Sequence, residues 1–491
     1  MNKCITAALI GAGVRGLDIY GNYALKIPNK LKFVAVAEPE EGRRNKFAKL
    51  HDIPKNNCYK SWEDLLSEAK LADIVFICTQ DQLHTKPALI ALEKGYDIVL
   101  EKPIAHNLKE CVKIVKKAEE TGRKLWVCHV LRYTDFFTTI YKIIQKGLLG
   151  TLVNISHREN VSGYHMAHSF VRGNWCNEET SSSLILAKCC HDLDLLYWMA
   201  NSLPKMLNSF GNLLHFRKEN APKGAPQYCL EGCPIEDKCL YYAPRIYVDI
   251  VPITQIMQKS DNKFLKILGR IRQNHKKFLT ILSKIILPLK RLRFWQDWPV
   301  IPLYYGRKEN FTDDAKKEIL KNSSYGKCVY YCNNNVVDHQ TVNIEFENGV
   351  TANLIVHGFS PYDGRSLRID GTNATLIGNF YDYGEKVVLY DHYSGKKKLV
   401  FKKKLKIGAG EHGGGDYELI NEIVNSYFNK VETKPLTSAK ESLESHLMAF
   451  AAEESRKKGI VVDMEEFRKI SLRLHDDDDM WEDGWKDWNL K

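Results

Sequence analysis

The chain has 491 residues, of which 44% are apolar and 27% charged, the composition of a folded globular protein with two or three domains. This balance excludes a disordered chain and a disulfide-stapled miniprotein. No uninterrupted apolar run approaches the roughly 18 residues of a membrane-spanning helix, so an integral membrane protein is excluded too. The 13 cysteines are an odd number scattered through apolar patterns, which indicates reduced thiols and a cytoplasmic protein.

The net charge of +11, from 71 basic and 60 acidic residues, is concentrated in a few segments. Residues 259–293 contain eleven Lys and Arg against one acid, and residues 396–406 contain seven lysines and no acid. The final segment, 476–491, is acidic and rich in tryptophan. Because the charge is local, its overall sign does not predict a nucleic-acid partner, and we expect none.

A glycine-rich turn follows the first apolar run of the chain. Residues 5–10 predict a buried parallel strand, and Gly11-Ala12-Gly13-Val14-Arg15-Gly16 comes directly after it, before a helical pattern. Gly11 permits the tight turn, Gly13 lets the backbone approach a pyrophosphate, and Gly16 allows close packing of helix on strand. The free N–H groups of the helix N-terminus then face the phosphates. This motif predicts a dinucleotide-binding loop.

A carboxylate stands at the end of the second apolar run. Residues 31–37 end in Glu38, 22 residues beyond Gly16, which is the spacing expected for a carboxylate that binds the adenosine ribose hydroxyls. A 2′-phosphate would be repelled there, so the sequence favours NAD over NADP. Arg43 and Arg44 keep NADP open, since an arginine can hold that phosphate; as an alternative, both are solvated helix residues.

Two more strand-like runs, residues 72–78 and 96–100, flank a predicted helix at 87–94. Alternating strands and helices are typical of the doubly wound parallel sheet of an α/β Rossmann domain. Ligands bind at the carboxyl ends of such strands. The cofactor-binding candidates at these ends and in the first loop are Gly11, Gly13, Gly16, Glu38, Thr79, Gln80, His84, Glu101 and Lys102.

The sequence Glu101-Lys102-Pro103 follows the fifth strand of this domain, and His-Val-Leu-Arg-Tyr follows at 129–133. In these features the chain resembles the Gfo/Idh/MocA family of NAD(P)-dependent oxidoreductases, which includes glucose–fructose oxidoreductase and inositol dehydrogenase. The resemblance implies that Lys102 contacts both the nicotinamide and the substrate. It also implies a second, α+β domain with a large, mostly antiparallel sheet that commonly mediates a homodimer or homotetramer.

We predict an NAD-binding Rossmann domain at residues 1–128 and an α+β substrate and oligomerisation domain at residues 129–475. Runs of strands without regular helices in the second part predict its antiparallel sheet. Residues 214–325 interrupt this domain as an insertion, and residues 476–491 form an acidic, Trp-rich tail.

The segment Ala187-Lys188-Cys189-Cys190-His191-Asp192-Leu193-Asp194 opens a predicted apolar helix. Oxidation of an alcohol needs a base for the hydroxyl proton, and His191 can supply it near neutral pH. The family resemblance implies the pattern Asp-x-x-x-His-x-x-Asp here, and His191 and Asp194 fit its last two positions. Ala187 occupies the first, so that carboxylate is missing. Lys188 is the candidate cation that would face the substrate oxygen in its place.

Residues 160–175 mix hydrogen-bonding and aromatic side chains, which suits the hydroxyls and the apolar face of a sugar. A surface loop is an equally consistent interpretation of this composition. The predicted substrate-binding residues, here and in the neighbouring motifs, are Arg132, Tyr133, His165, His168, Arg172, Trp175 and Asp194.

The insertion contains a group of cysteines. Cys229, Cys233 and Cys239 have C-x3-C-x5-C spacing, and Cys332 follows on the far side of the insertion. Four thiolates can bind a structural zinc, which would stabilise a loop and take no part in catalysis. The spacing matches no strong zinc motif, and unliganded reduced thiols are the alternative.

Apolar residues recur at steps of four and three from Phe264 through Leu268 and Ile271 to Leu292, which predicts an amphipathic helix. Its other faces carry most of the basic residues of 259–293. Basic amphipathic helices commonly lie on anionic membranes, so we expect peripheral membrane contact through this segment. The alternative is a helix packed on its own domain or on a second subunit.

The sequence therefore predicts an NAD-dependent oxidoreductase that transfers hydride between the nicotinamide and a hydroxyl carbon of a sugar, sugar derivative or cyclitol. One alternative is a glycosidase of the same fold that oxidises its substrate transiently and keeps its NAD. Another is a non-catalytic nucleotide-binding scaffold, which the missing carboxylate at Ala187 makes conceivable.

Overall fold

The computed structural model describes residues 4–249, 251–259, 263–274, 312–381, 384–404, 412–428 and 435–473. The predicted basic helix beyond residue 274 and the acidic tail lie outside these ranges. Among the helices of the described ranges, none is both long enough and apolar enough to cross a membrane.

The first domain is built on a six-stranded parallel sheet with the strand order β3-β2-β1-β4-β5-β6. The strands are β1 (Ile5–Ile10), β2 (Leu31–Ala37), β3 (Cys58–Tyr59), β4 (Ile74–Ile77), β5 (Asp97–Leu100) and β6 (Leu125–Val127). A π-helical segment, Val14–Gly21, follows β1. The longer connecting helices are α1 (Glu41–Leu50), α2 (Trp62–Ser67), α3 (Thr85–Glu93) and α4 (Leu108–Thr121). The predicted doubly wound α/β sheet is confirmed.

Alternate residues of β1 enter two different cores, as the two-residue period of a strand requires. Ala8 and Ile10 are buried with residues of α2, α3 and α4, whereas Ala7 and Leu9 are buried on the other face with Phe47 of α1. Both faces of the sheet are therefore covered, and the carboxyl ends of β1, β4 and β5 form one edge that is available for a ligand.

The second domain contains a nine-stranded sheet with the order β14-β13-β12-β11-β7-β10-β9-β8-β15. The strands are β7 (Leu152–Ser162), β8 (Pro204–Asn212), β9 (His339–Phe346), β10 (Thr351–Ser360), β11 (Gly364–Gly371), β12 (Ala374–Tyr381), β13 (Gly384–Asp391), β14 (Lys397–Lys404) and β15 (Val462–Asp463). Neighbouring strands are antiparallel except β7 and β10, which are parallel. This confirms the predicted large, mostly antiparallel sheet.

The longer helices of the second part of the chain are α5 (Asp135–Gln145), α6 (Leu184–Ala200), α7 (Val251–Lys259), α8 (Lys263–Asn274), α9 (Asp313–Lys321), α10 (Gly415–Phe428), α11 (Ala439–Lys458) and α12 (Met464–Arg473). Of these, α5, α6, α11 and α12 pack on the nine-stranded sheet. Helix α6 packs on β7, β10 and α11, and α11 also packs on α4 of the first domain. A continuous core therefore joins the two domains and holds α6 against the ligand-binding edge.

Helix α10 comes from the far end of the chain but completes the core of the first domain. Leu419, Ile420 and Ile423 are buried together with Ile5 and Phe33 of β1 and β2. The first domain is thus not built from residues 1–128 alone, because this later helix covers one face of its sheet.

In the insertion, α7 and α8 pack against each other through Leu265 and Leu268, which are buried. Phe264 and Ile267 are exposed. The predicted helix is present over Lys263–Asn274, but its predicted stripe is divided, since Leu268 is buried on the side that also carries Leu265 while Phe264 is exposed.

Candidate active site

The glycine loop lies between β1 and the π-helical segment, and two of its glycines are required by packing. Gly11 has φ +93°, and a Cβ there would lie 2.7 Å from the carbonyl oxygen of Cys78. A Cβ on Gly16 would lie 2.2 Å from the carbonyl oxygen of Gly11. By contrast, a Cβ on Gly13 would meet no atom within 4 Å. The backbone at Gly13 therefore borders open space at the helix N-terminus, as a pyrophosphate cradle requires.

Glu38 is buried at the end of β2 and reaches this loop. Its Oε2 accepts a hydrogen bond from the Ala12 N–H at 2.8 Å, and its Oε1 accepts from the Glu40 N–H at 3.0 Å. Arg44 is also buried and donates to the carbonyl oxygens of Glu38 and Pro39 at 2.6 and 3.2 Å. The carboxylate thus lies beside the loop, while the Arg44 guanidinium is directed at backbone oxygens.

The end of β4 contributes Thr79, Gln80 and His84. The Thr79 hydroxyl is buried and has no hydrogen-bond partner among the described residues, which suits a polar ligand. Gln80 is exposed and its side-chain oxygen accepts from the Gln82 amide at 3.0 Å. The fully buried His84 has its Nδ1 2.9 Å from the Pro103 oxygen and its Nε2 3.2 Å from the Thr79 oxygen. In this structure His84 joins the two loops that carry Thr79 and Lys102.

Glu101 is the centre of a buried polar network. The Arg15 Nε lies 2.6 Å from Glu101 Oε1, and the Tyr20 hydroxyl donates to the same oxygen at 2.5 Å. Arg15 also pairs with Asp416 of α10 at 2.5 Å. Burial alone would raise the pKa of Glu101, but Arg15, Tyr20 and Lys102 lower it below its usual value. The network ties the glycine loop to β5 and to α10.

Sequence reasoning missed the part that Arg15 and Asp416 play in this network. The available sequence signal for this role was the presence of Arg15 inside the glycine motif, since an arginine there can pair with the predicted carboxylate of Glu101. Its second partner lies 401 residues away, and no local pattern indicates that contact.

The Lys102 side chain crosses from the first domain to the second. Its Nζ donates to the carbonyl oxygen of Ala187 at 2.8 Å. Ala187 and His191 are four residues apart in α6, so this contact is made about one helical turn before His191. The structure therefore brings the two predicted catalytic residues, Lys102 and His191, to the same end of α6.

His191 is buried in a group of histidine rings. Its ring lies 5.4 Å from that of His129, which lies 5.5 Å from that of His446. His446 accepts from the Ile104 N–H at Nε2 and donates from Nδ1 to the Ser442 oxygen. Burial lowers the pKa of His446 to about 3, and burial, Arg132 and Lys102 lower that of His129 well below its usual value. Both rings are neutral at neutral pH.

Lys188 does not stand beside Lys102 as an isolated cation. Its Nζ lies 3.3 Å from Glu159 Oε1 of β7. Arg365 of β11 contacts Glu159 at 3.0 Å and Asp192 at 2.7 Å, and His157 contacts Asp192 at 2.6 Å. Burial raises the pKa of Glu159, although Arg365 and Lys188 oppose this. The predicted role of Lys188 as the cation on the substrate oxygen therefore conflicts with this pairing, since a buried carboxylate neutralises it.

His165 is half-buried, and its Nδ1 lies 3.1 Å from Asp363 Oδ1. Asp363 also accepts from the Ser162 N–H at 2.7 Å and from the Tyr164 hydroxyl at 3.1 Å. Burial would raise the pKa of Asp363, but His165 and Lys188 bring it well below its usual value. The ring of His165 is therefore oriented by a carboxylate through one nitrogen, an arrangement that suits ligand binding through the other.

Several predicted substrate residues instead hold the structure together. Arg132 and Asp194 form a buried bidentate ion pair, with two N–O distances of 2.7 Å. Tyr133 donates to a carboxylate of α10 at 2.9 Å. The Trp175 indole donates to Asp81 at 2.9 Å. The predicted direct substrate contacts of Arg132 and Asp194 are at odds with this geometry, because their charged atoms already satisfy each other.

His168 and Arg172 anchor the insertion. The His168 ring stacks on that of Tyr325 at 4.8 Å, and burial lowers its pKa to about 3. The buried Arg172 donates to the carbonyl oxygen of Tyr241 at 2.8 Å. These contacts of both side chains are with the insertion, which does not support their predicted role in substrate binding.

The cysteines of the insertion line a small cavity. Its lining includes Cys229, Cys233, Cys239 and Cys328, whereas Cys332 of the predicted zinc set is not part of it. All are free thiols. In the part of the chain that the structure describes, no three His, Cys, Asp or Glu side chains are arranged to hold a metal ion. The thiols as arranged therefore do not fit a zinc ion.

Comparison with known proteins matches the first domain to a family model. Residues 5–129 match the model of the Gfo/Idh/MocA oxidoreductases, described as an oxidoreductase family with an NAD-binding Rossmann fold. Inositol 2-dehydrogenase of Corynebacterium glutamicum is 25% identical over 208 residues, 41% of this chain and 56% of that protein. The 2,7-anhydro-N-acetylneuraminate hydratase of Escherichia coli is 26% identical over 211 residues, 42% of this chain and 54% of that protein. The chain thus spans about half the length of these curated relatives.

The whole architecture is shared with solved structures. An oxidoreductase from Agrobacterium radiobacter, solved in complex with NAD+, L-tartaric acid and magnesium, superposes with a TM-score of 0.60 at 14% identity. The superposition covers 94% of this chain and 99% of that one. At this identity the likeness shows that both sheets and their connection follow the same fold.

Proposed function

We propose that the chain is an NAD-dependent dehydrogenase of the Gfo/Idh/MocA family, whose model residues 5–129 match. It transfers hydride between the nicotinamide and a hydroxyl carbon of a sugar, sugar derivative or cyclitol. The observation that carries this proposal is the meeting of Lys102 and His191 at one end of α6, at the ligand-binding edge of the parallel sheet. A cation and a proton acceptor beside the cofactor domain are the groups that alcohol oxidation needs.

The residues of the first domain fit NAD. The open space at Gly13 admits a pyrophosphate, Glu38 supplies acceptors for ribose hydroxyls, and the Thr79 hydroxyl is a buried group without a partner among the described residues. The bound cofactor would supply the hydride acceptor or donor. NAD is favoured over NADP because Glu38 would repel a 2′-phosphate, and Arg44 is directed at backbone oxygens rather than at solvent.

Lys102 and His191 have different roles toward the substrate. The Lys102 ammonium, held by the Ala187 carbonyl, stabilises negative charge on the substrate oxygen as the hydroxyl proton leaves. His191 accepts that proton. The neutral rings of His129 and His446 add no second positive charge that would oppose protonation of His191.

The second domain supplies a site for a polyol. His165, oriented by Asp363, is a half-buried predicted substrate residue with one ring nitrogen not used in that ion pair. We propose that it binds a substrate hydroxyl. The inositol 2-dehydrogenase among the relatives supports a cyclitol or sugar as substrate.

A second candidate function uses the same site without net oxidation. The name of the Escherichia coli relative describes a hydratase, whose net reaction adds water and changes no oxidation state. An enzyme that oxidises transiently and retains its NAD, such as the redox glycosidase predicted from the sequence, would need Lys102 and His191 in the same positions. A non-catalytic scaffold would need neither.

The three functions are separated by incubating the full chain with NAD+ and a panel of sugars and cyclitols. A dehydrogenase produces NADH in proportion to substrate. Lys102→Met should slow this production by about 10²- to 10³-fold, whereas Lys146→Met, at an exposed lysine of the second domain, should not. Glycosidic cleavage or hydration without NADH accumulation would identify the second candidate. If the protein binds the cofactor but turns over no substrate, the non-catalytic scaffold is the remaining function and the proposed activity is contradicted.

We also propose that the cytoplasmic protein assembles as a homodimer or homotetramer through the outward face of the nine-stranded sheet. Helices cover the other face, and the outward face exposes Phe210 and Phe359. Light scattering coupled to gel filtration tests this, and a monomeric mass for the wild-type chain would contradict it. If the wild-type chain is a dimer and Phe210→Asp makes it monomeric, the interface lies on the outward face of the nine-stranded sheet.

A further inference from the structure

Helix α8 has two apolar stripes that point in different directions. The inner one, Leu265 and Leu268, is buried where α8 packs on α7. The outer one begins with Phe264 and Ile267, which are each 53% exposed and three residues apart. The inner stripe therefore lies in the packed interior, while the outer stripe presents apolar surface to solvent.

Exposed cations border the outer stripe. Lys263, Lys266 and Arg270 are all exposed and recur at the same helical spacing as the apolar residues beside them. Neither 251–259 nor 263–274 contains an Asp or Glu. An exposed apolar strip edged by positive charge, with no acid on either helix of the hairpin, is complementary to an anionic surface that also has an apolar interior.

We propose that the outer face of α8, formed by Lys263, Phe264, Lys266, Ile267 and Arg270, docks the protein on anionic lipid bilayers. The cations are attracted to the charged headgroups, and Phe264 and Ile267 enter the interface between headgroups and acyl chains. A nucleic acid would use the cations but would leave the apolar strip in water, so it fits this face less well.

The hairpin also lies next to the substrate side of the second domain. The Lys259 ammonium is 4.5 Å from the ring centroid of Tyr362. Tyr362 directly precedes Asp363, the residue that orients His165. A protein docked through α8 would therefore hold this part of the proposed active site close to the membrane surface.

The test is co-sedimentation of the full chain with vesicles of phosphatidylcholine and phosphatidylserine, compared with vesicles of phosphatidylcholine alone. We expect binding to the mixed vesicles at low salt, with weakening as salt is added, since salt screens the attraction. The triple variant Lys263→Gln/Lys266→Gln/Arg270→Gln should lower the partition coefficient by about 100-fold. Wild-type protein that stays in the supernatant with mixed vesicles at low salt would overturn the proposal.

Two further variants show whether α8 itself is responsible. The matched control Lys396→Gln/Lys397→Gln/Lys398→Gln removes the same charge from another exposed basic segment and should bind as the wild type does. Ile267→Asn keeps the net charge and should still weaken binding, because it removes an apolar anchor. Equal loss in the control and the α8 triple variant, or full binding by Ile267→Asn, would overturn docking through this face. Because binding is measured without turnover, these outcomes do not depend on the proposed enzyme activity.

Discussion

The ammonium of Lys102 donates a hydrogen bond to the backbone carbonyl oxygen of Ala187 at 2.8 Å. The family resemblance implied a carboxylate at position 187, and in its place the backbone carbonyl of Ala187 makes the contact with Lys102. A carbonyl oxygen accepts a hydrogen bond but does not take up a proton at neutral pH. The carbonyl is therefore not a proton acceptor, and we propose that the substrate proton passes to His191.

Replacing Lys102 by methionine should reduce kcat by about 10²- to 10³-fold, the usual effect of removing a group that stabilises developing charge. NAD affinity should change little, because the glycine loop and Glu38 bind the other half of the cofactor. Single-turnover rates and fluorescence titration with NAD measure the two quantities. A variant that keeps most of its kcat would show that Lys102 has no catalytic role.

His191→Ala should lower kcat by about 10²- to 10⁴-fold, the range typical of a lost general base. The loss should be smaller at high pH, where solvent takes the proton more readily. His392→Ala, which removes an exposed histidine from a turn, is the control and should keep full activity. If both variants are equally active, the proton acceptor lies elsewhere.

Ala187→Asp should restore a carboxylate beside Lys102, one turn before His191. The added negative charge favours the protonated form of a nearby base, so the acidic limb of the kcat/KM profile should move to higher pH. Ala187→Asn has a similar shape without the charge and should leave the limb in place. A profile that is identical for the two variants would contradict this account of the site.

Glu38→Gln should weaken NAD binding by about tenfold and raise the affinity for NADP relative to NAD, because the repulsion of a 2′-phosphate is removed. Glu41→Gln, at an exposed glutamate three residues on, should change neither affinity. Titration of both cofactors provides the ratio. Tighter binding of NADP than of NAD by the wild-type protein would make Arg43 or Arg44 the phosphate ligand and exclude the proposed preference.

Glu385 on β13 should make stability fall as the pH rises. Burial raises its pKa from 4.5 to about 7; Asp135 acts in the same direction and Lys403 in the opposite one. Between these values the folded chain keeps a proton that the unfolded chain has lost, so the free energy of unfolding decreases through this window. Glu385→Gln removes the effect and should raise Tm by a few degrees at about pH 8 but not at about pH 4.

Thermal melts at both pH values check the Glu385 prediction. Glu345→Gln, at an exposed glutamate of β9, is the matched control and should melt as the wild type does at each pH. A Tm of Glu385→Gln below that of the wild type at about pH 8 would mean that the ionised carboxylate stabilises the fold.

The first domain could be predicted closely from the sequence because its signals are local. A buried strand, the glycines at 11, 13 and 16, and Glu38 lie within one short stretch, and each has its role through its own backbone or immediate neighbours. The position of Lys102 could also be predicted from local signals, because it follows Glu101 directly after the fifth strand. The alternation of apolar and polar residues likewise indicated the strands of the second sheet.

Other roles depended on which distant groups come together, and only the tertiary structure decided them. Arg132 and Asp194 are both polar residues near the site, but the fold pairs them with each other, 62 residues apart, so that their charged atoms satisfy one another. Lys188 is neutralised by Glu159 for the same reason. A charged side chain in a sequence shows what it can bind, while its partner is set by the packing of separate elements.

Helix α8 shows the same division within a single element. The order of apolar and basic residues by itself determined that residues 263–274 form an amphipathic helix. Among regular structures, only a helix places residues at i, i+3 and i+4 on the same side. Which of its two apolar stripes is buried was decided by α7, which covers Leu265 and Leu268 and leaves Phe264 and Ile267 exposed. Hydrophobic burial has no direction of its own, so the face that enters the core is the one that meets a packing partner.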